Sequence, residues 1–201
     1  MKLYYSPGAC SMAPHIVLNE MGLAHTTEKV DLRGKKTESG GDFLGINGKG
    51  YVPTLETGKD GTLTEVSVIL QYLADHYPAK GLLPKFGDMA RYRAMEMLNF
   101  IASELHKGIG GLFNPAMPDA GKDAIKSRVD VRLAWLEKQL AKHQYMLGDA
   151  FSVADAYAFT VLGWTKHVGI DLAKFPAISA YLGRIAARPA VQKTLQEEGL
   201  A

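Results

Sequence analysis

The sequence of 201 residues lacks several features that would each indicate a particular class of protein. Its single cysteine excludes a disulfide within the chain and gives no sign of an oxidising compartment. Twenty-three basic and 21 acidic residues leave a net charge of +2, too small for nucleic acid or an anionic membrane to be held mainly by electrostatic attraction. No apolar run approaches the roughly 18 residues needed to span a bilayer.

A secretory signal is also missing from the first residues. Pro7, Gly8 and Pro14 interrupt the segment in which such a signal would have a continuous apolar stretch. These absences together predict a cytoplasmic protein. Apolar residues are abundant, at 47% of the chain, which is enough for one large or two small packed domains and excludes a disordered chain.

The N-terminal residues have the pattern of a βαβ unit. An aromatic, alternating segment ending at Tyr5 predicts a strand, residues 6–8 a turn, residues 11–21 a helix stopped by Gly22, and residues 26–31 a second strand. The crossover between two such strands is expected to be right-handed and the strands parallel.

The following residues predict a hairpin and a helix. Residues 33–50 are polar and glycine-rich, as in a surface loop, with a short helical piece at 42–46. The sequence then predicts strands at 51–57 and 62–64 with a turn at 59–61, and a helix from 65 to 77 ended by a proline. We therefore expect a β-α-β/β-β-α domain over residues 1–78, a linker at 79–87, and a second domain at 88–201.

The second domain is predicted to be entirely helical. The long runs 89–107 and 119–143 contain no helix breaker, and the second carries an apolar stripe. Ser152 and Asp155 have the spacing of a capping box at the start of an apolar helix that continues through residue 164, and we assign both to stability. Prolines predict the starts of two more helices, 176–188 and one from 189.

Cys10 lies where the first strand ends and the first helix begins. Unpaired N–H groups and the dipole at a helix start stabilise a thiolate over a thiol, so a reactive cysteine with a pKa at least one unit below that of a free thiol is one hypothesis. The alternative is a buried cysteine that fills space as a small apolar side chain.

A polar stripe on the long helix at 89–107 is the second feature of interest. Asn99, Ser103 and His106 are spaced by four and three residues and share one helical face. A solvated face would more typically carry Lys and Glu, so this composition favours the wall of a cleft. The other histidines, at 15, 25, 76, 143 and 167, are predicted to lie at the surface.

Taken together, these features resemble a glutathione transferase of the bacterial Beta class, and the resemblance runs from end to end. The segments that carry it are Tyr4 to Ser11 (YYSPGACS), Gly50 to Leu55 (GYVPTL), Leu63 to Glu65 (LTE), Asn99 to Lys107 (NFIASELHK) and Ser152 to Asp155 (SVAD). The resemblance implies the cytosolic glutathione transferase fold: an α+β, thioredoxin-like N-terminal domain and an all-α C-terminal domain. It also implies detoxification in the cytoplasm, glutathione as co-substrate, and no metal.

The resemblance implies a set of glutathione contacts. A cis Val52–Pro53 bond would leave the main-chain N–H and C=O of Val52 free to pair with the cysteinyl unit of glutathione. Lys35 would bind the glycyl carboxylate, and the neighbouring Lys36, which is not expected to bind it, serves as the control for that assignment. Glu65 would accept from the γ-glutamyl ammonium, beside the helix-start N–H groups. Many relatives have serine after this glutamate. The remaining expected glutathione contacts are Val66, which stands in that serine's place, Ser67, Asn99, Ser103 and Glu104.

Catalysis is expected from Cys10 and His106, where His106 would donate a hydrogen bond to the thiolate or take its proton. Ser103 and Glu104 would contact glutathione in the neighbouring subunit, which implies a homodimer. A second, apolar pocket would take a small hydrophobic electrophile. Its candidate residues are Lys107, Ile109, Phe113, Trp164 and His167.

The sequence favours the first of three functions, and the other two are alternatives. The first is conjugation of glutathione to electrophiles by a transferase, with Cys10 able to form a mixed disulfide with glutathione. The second is a glutathione-dependent thiol–disulfide reductase of glutaredoxin type. The third is a non-catalytic protein of the same fold that acts as a binding or regulatory module.

Overall fold

The computed structural model describes residues 1–201, which form two compact units. The first unit contains Met1–Lys80 together with Arg188–Ala201, and the second contains Gly81–Ala187. No helix combines the length and the apolar character that crossing a membrane would require.

A five-stranded sheet lies in the first unit. Its strands are β1 (Lys2–Tyr5), β2 (Thr26–Asp31), β3 (Lys36–Thr37), β4 (Thr54–Glu56) and β5 (Thr62–Thr64), in the order β3-β2-β1-β4-β5. β1 and β2 are parallel and the other pairs are antiparallel. The predicted βαβ unit and hairpin are confirmed, whereas β3, a pairing of two residues inside the expected loop, was not predicted.

Ten α-helices complete the structure. They are α1 (Met12–Met21), α2 (Phe43–Ile46), α3 (Val66–His76), α4 (Met89–Phe100), α5 (Lys107–Gly111), α6 (Asp119–Leu140), α7 (Val153–Gly163), α8 (Thr165–Val168), α9 (Pro176–Ala186) and α10 (Pro189–Glu197). A 3₁₀ turn at Pro78–Lys80 follows α3, and a π-helical segment at Ile101–His106 joins α4 to α5.

The C-terminal helix α10 belongs to the first unit, so the prediction that residues 188–201 are part of the helical domain was wrong. Its buried residues Val191 and Thr194 pack where α10 meets α1. Arg188 forms an ion pair with Glu20, the last residue but one of α1. These contacts cover a second side of α1, whose other side packs on α3.

His15 on α1 is buried, with 1% of its surface exposed, so the prediction of a surface position was wrong for this histidine. The cause is the double covering of α1, in which every residue from Met12 to Leu18 is buried. His25 is half-buried, while His76, His143 and His167 are exposed as predicted.

The second unit is helical, as the sequence indicated. The apolar stripe of α6 is buried and consists of Val129, Leu133, Leu136 and Leu140. At the start of α7, the capping box is present, with the Ser152 N–H donating to the Asp155 carboxylate at 2.8 Å. Tyr181 on α9 donates to the same carboxylate at 3.1 Å, so Asp155 joins α7 to α9.

The helix predicted at 89–107 is continuous but not uniformly α-helical. In its π segment the N–H of Lys107 bonds to the carbonyl of Ala102, five residues earlier. Because the turn is wider, the residues after Ile101 are rotated about the helix axis from the positions that they would have in an α-helix. The face that Asn99, Ser103 and His106 were predicted to share is therefore altered at the position of the candidate catalytic histidine.

Candidate active site

Cys10 lies in the connection between β1 and α1, which is held by a dense set of hydrogen bonds. The Ser11 side chain accepts from the Ser6 N–H at 3.1 Å, and the N–H of Ala9 donates to the Ser6 carbonyl at 3.0 Å. Gly8 adopts a left-handed conformation, with φ of 68°, and its N–H donates to the carboxylate of Glu198 at 2.9 Å. The loop therefore fixes the backbone around a partly exposed sulfur.

The thiol of Cys10 donates to the main-chain carbonyl of Val52 at 3.2 Å. Val52 precedes Pro53 through the cis peptide bond that the resemblance implied. This hydrogen bond exists only while the sulfur carries its proton, whereas the helix start favours the thiolate. The structure thus brings two of the predicted residues together, and the low pKa of the thiol stays a prediction.

Lys35 is held close to the segment that leads into Val52. Its ammonium donates to the carbonyl of Gly50 at 2.6 Å, and its own carbonyl accepts from the N–H of Phe43 at 2.9 Å. Its backbone has φ of 55°, in the left-handed region that costs a non-glycine residue roughly 1–2 kcal/mol. The backbone of Lys35 is therefore fixed by the first residue of α2, and its side chain by a carbonyl that follows α2.

Glu65 immediately precedes α3 and has a positive φ of 71°. Its carboxylate accepts from the Lys49 ammonium at 2.6 Å and from the Tyr51 hydroxyl at 2.9 Å. The hydrogen bond to Glu65 raises the pKa of both Lys49 and Tyr51 above their usual values. Val66 is buried and Ser67 half-buried at the start of α3.

His106 lies in a cluster of aromatic side chains in the second unit. Its Nδ1 is 2.6 Å from the hydroxyl of Tyr157, which is 2% exposed, so the imidazole ring is held by a buried partner. The ring also meets Trp164 edge to face, with centroids 4.9 Å apart. The contact with Tyr157 at Nδ1 therefore fixes the orientation of the imidazole ring.

The predicted electrophile pocket is only partly assembled. Phe113 packs edge to face on Trp164 with centroids 6.0 Å apart, and Phe113 is 50% exposed. Ile109 is fully buried, so it presents no surface to a ligand and does not fit the predicted role. Lys107 and His167 are exposed.

The other predicted residues of this helix have local partners. The hydroxyl of Ser103 donates to the carbonyl of Asn99 at 2.9 Å, and both residues are exposed. Glu104 forms an ion pair with Arg132 of α6 at 2.7 Å, and this hydrogen bond lowers the pKa of Glu104. The arrangement leaves the hydroxyl and amide groups at the surface of the second unit.

Sequence reasoning missed three residues that hold the predicted ones in place. They are Lys49 and Tyr51 at Glu65, and Tyr157 at His106. Lys49 and Tyr51 flank Gly50 next to the Val52–Pro53 segment, so their position alone could have drawn attention. Tyr157 is 51 residues from His106, and no spacing pattern connects the two.

Comparisons with known proteins match the chain over its full length. The N-terminal domain of glutathione S-transferase matches residues 8–76 and the C-terminal domain of glutathione S-transferase matches residues 100–189. The chain is 42% identical to glutathione S-transferase GstA of Escherichia coli O157:H7 over 200 residues, with 100% of each chain covered.

Solved structures extend the match to three dimensions. A sphingomonad glutathione S-transferase complexed with glutathione has a TM-score of 0.95 and 51% identity, with both chains covered completely at 100%. The Beta-class glutathione S-transferase of Sphingomonas chungbukensis has a TM-score of 0.95 and 48% identity, also with 100% of each chain covered. The chain therefore belongs to the glutathione S-transferase family, as a glutathione transferase of the bacterial Beta class.

Proposed function

We propose that the protein joins glutathione to small hydrophobic electrophiles, with the tripeptide bound along the segment that contains Val52. In this reaction the glutathione thiolate attacks an electrophilic carbon, a C–S bond forms, and the leaving group departs with its electron pair. The observation that carries the proposal is the 3.2 Å contact between the Cys10 sulfur and the Val52 carbonyl. An extended cysteinyl unit paired with the Val52 main chain would carry its own sulfur to the same place.

The backbone of the glutathione contacts supports this proposal. Lys35 and Glu65 are the two non-glycine residues with positive φ, and both are expected to bind the charged ends of the tripeptide. Strained backbone is concentrated at ligand-binding positions, where the surrounding structure holds it in place. Lys35 would exchange the Gly50 carbonyl for the glycyl carboxylate, and Glu65, Val66 and Ser67 would take the γ-glutamyl end.

His106 is proposed as the second catalytic residue, acting on a sulfur through its imidazole ring. The Tyr157 bond supports this role because it fixes the orientation of the imidazole ring. His106→Ala should slow turnover more than it weakens glutathione binding. Equal effects on the two quantities would reassign His106 to positioning of the tripeptide.

Phe113 and Trp164 are proposed to contact the electrophile, with Lys107 and His167 at the exposed edge. The packing of Phe113 on Trp164 and the exposure of Phe113 support an apolar, reachable surface there. Phe113→Ala should raise the KM for an aryl halide and leave the KM for glutathione unchanged. A change in the KM for glutathione alone would argue against this pocket.

The active protein is proposed to be a cytoplasmic homodimer in which Asn99 lines the subunit's own site and Ser103 and Glu104 reach the neighbouring one. Large apolar side chains on the surface of α4 and α6 support self-association, since Met89, Val131 and Trp135 are 70%, 60% and 43% exposed. Sedimentation should give twice the chain mass, and a monomer would contradict the proposal.

We also propose that Cys10 forms a mixed disulfide with glutathione, which a transferase and a glutaredoxin-like reductase would both do. Exchange with glutathione disulfide would form one S–S bond between Cys10 and glutathione and release one glutathione thiolate. The test compares wild type with Cys10→Ala, by conjugation to a generic aryl halide and by reduction of a mixed disulfide. Mass spectrometry of the purified protein would detect the adduct.

Conjugation that survives Cys10→Ala, with reduction abolished, is the expected result. Loss of both activities would show that conjugation also requires Cys10, which the proposed attack by the glutathione thiolate does not predict. If the wild-type protein fails to bind glutathione at millimolar concentration, the proposal is overturned in favour of a non-catalytic binding module.

A further inference from the structure

Two histidines and a carboxylate converge in the first unit, where α1 ends and α10 passes beside it. His15, His25 and Glu197 each offer one ligand atom, and these atoms lie within 4.8 Å of one another. They line a solvent-open cavity of about 550 Å³. None of the three residues has a role in the proposed transferase reaction.

The tautomer of His15 follows from its neighbours. Its Nδ1 is 2.9 Å from the carboxylate of Glu198, which is itself buried and can only accept. Only the contact at Nδ1 has the geometry of a hydrogen bond, which assigns the proton of the neutral ring to Nδ1 and the lone pair to Nε2. Nε2 has no hydrogen-bond partner although His15 is 1% exposed, and it lies 3.0 Å from the Glu197 carboxylate.

His25 has the same arrangement. Its Nδ1 is 2.8 Å from the carbonyl oxygen of Leu23, which can only accept, so Nδ1 again donates and Nε2 carries the lone pair. Histidines that bind metals almost always donate the other ring N–H to a carboxylate or a carbonyl in this way. Both histidines thus already have the support that a metal ligand requires.

The three candidate ligand atoms are all acceptors. Two imidazole lone pairs and a carboxylate oxygen face one another, and a cation would turn their repulsion into attraction. We propose that His15, His25 and Glu197 bind a divalent first-row transition metal, with zinc as the ion that two imidazole nitrogens and one carboxylate oxygen suit well. The open side of the cavity would supply water as a fourth ligand.

Charge and distance are compatible with this proposal. Glu197 and the buried Glu198 bring two negative charges, and Lys193, which pairs with the other oxygen of Glu197, brings one positive charge. Asn19 donates to the metal-facing oxygen of Glu197 at 2.7 Å and orients the carboxylate. Bonds of about 2.0–2.1 Å in a tetrahedron need ligand atoms about 3.4 Å apart. His15 Nε2 and the Glu197 oxygen are already 3.0 Å apart, and the remaining ligand atoms, which lie within 4.8 Å, would have to close by about 1.4 Å at most.

The competing explanation is an imidazolium at His15 that pairs with both carboxylates and needs no metal. Titration of the chelator-treated full-length protein with zinc, in competition with a chromophoric chelator, separates the two. Wild type should bind one zinc per chain, and His25→Ala and Glu197→Gln should each weaken binding by about tenfold or more. His143→Ala removes an exposed histidine from the other unit and should leave the affinity unchanged.

Two further measurements, the absorption of bound cobalt and the change in Tm on zinc binding, test whether the metal binds at another place in the protein or through Cys10. Cobalt in the same site should give visible d–d absorption without a thiolate charge-transfer band, and the spectrum should be retained in Cys10→Ser. Zinc should also raise the Tm of wild type but not that of His25→Ala, because only the former binds the ion when folded.

Equal zinc affinity in wild type and His25→Ala would overturn the proposal, as would a thiolate band or no binding at all. If His25→Ala does not fold, Glu197→Gln, whose side chain lies at the surface, gives the same comparison. Loss of the zinc site would leave the transferase proposal untouched, since the two sets of residues are separate.

Discussion

The bond between Tyr157 and His106 provides the sharpest test of the second catalytic residue. Tyr157 lies on α7, is 2% exposed, and its hydroxyl is 2.6 Å from Nδ1 of His106. Tyr157→Phe removes this hydroxyl and keeps the ring that meets His106 edge to face at 5.7 Å. We therefore expect the imidazole to lose its fixed orientation while the packing is retained.

The size of the effect follows from the single bond removed. A hydrogen bond contributes about 0.5–1.5 kcal/mol net, which corresponds to a factor of about 2 to 13 in a rate constant. The loss should fall on kcat, because Tyr157 is expected to act on the reaction through His106 and not on the tripeptide. The KM for glutathione should stay within about twofold.

A double-mutant cycle with His106→Ala measures the coupling between the two residues. Turnover of an aryl halide by wild type, both single variants and the double variant should show that Tyr157→Phe has no further effect once His106 is absent. Tyr181→Phe is the matched control, because it removes another buried tyrosine hydroxyl of the second unit, one bonded to Asp155. Additive losses in the cycle, or an equal drop in kcat for Tyr181→Phe, would refute a positioning role for Tyr157.

Three other predictions concern stability and binding. Asp155→Ala should lower the free energy of unfolding by about 3 kcal/mol or more in urea, because this buried carboxylate accepts from two main-chain N–H groups and two hydroxyls that would lose their partner. Lys35→Ala should weaken glutathione binding about tenfold or more by calorimetry, as loss of a charged hydrogen bond predicts, whereas Lys36→Ala should not. Hydrogen bonding to Lys2 lowers the pKa of Glu28 from 4.5 to about 2. This carboxylate therefore stabilises the fold above pH 4.5, and the contribution is lost as the pH falls through 2. Glu28→Gln should be less stable than wild type at pH 7, and the difference should have nearly vanished at pH 2.

Local patterns were sufficient for most of the fold. β2 was predicted with the bounds that the structure has, since Thr26 to Asp31 alternate and are β-prone. The π segment at Ile101–His106 was not predictable, because one extra residue in a helical turn leaves no mark in composition or spacing. His15 was misjudged because a polar residue on a helix suggests solvent, and only the tertiary structure shows that α1 is covered on two sides.

The site was predictable where the sequence carries a family pattern and not where distant residues support it. Cys10 and Val52 were both named in advance, and the structure places their sulfur and oxygen atoms 3.2 Å apart. The partners of Glu65 and His106 were not named, since hydrogen bonds to Lys49 and Tyr157 depend on how separate segments pack. Ile109 shows the opposite error. It was assigned to the electrophile pocket because it is close in sequence to the other pocket residues, but its side chain is fully buried in the core.

The C-terminal segment shows how a distant part of the chain comes to support the cysteine. Residues after Arg188 follow the helical unit in sequence, yet α10 packs on α1 and its end brings Glu198 into a buried position. There the Glu198 carboxylate accepts from Gly8, which is 190 residues away and two residues before Cys10, and it also binds the His15 ring. A buried carboxylate is costly unless its oxygens are bonded, so the same two bonds that stabilise Glu198 also hold the loop of the candidate nucleophile. The conformation around the Cys10 sulfur is therefore set by α10 as much as by the strand and helix that flank it.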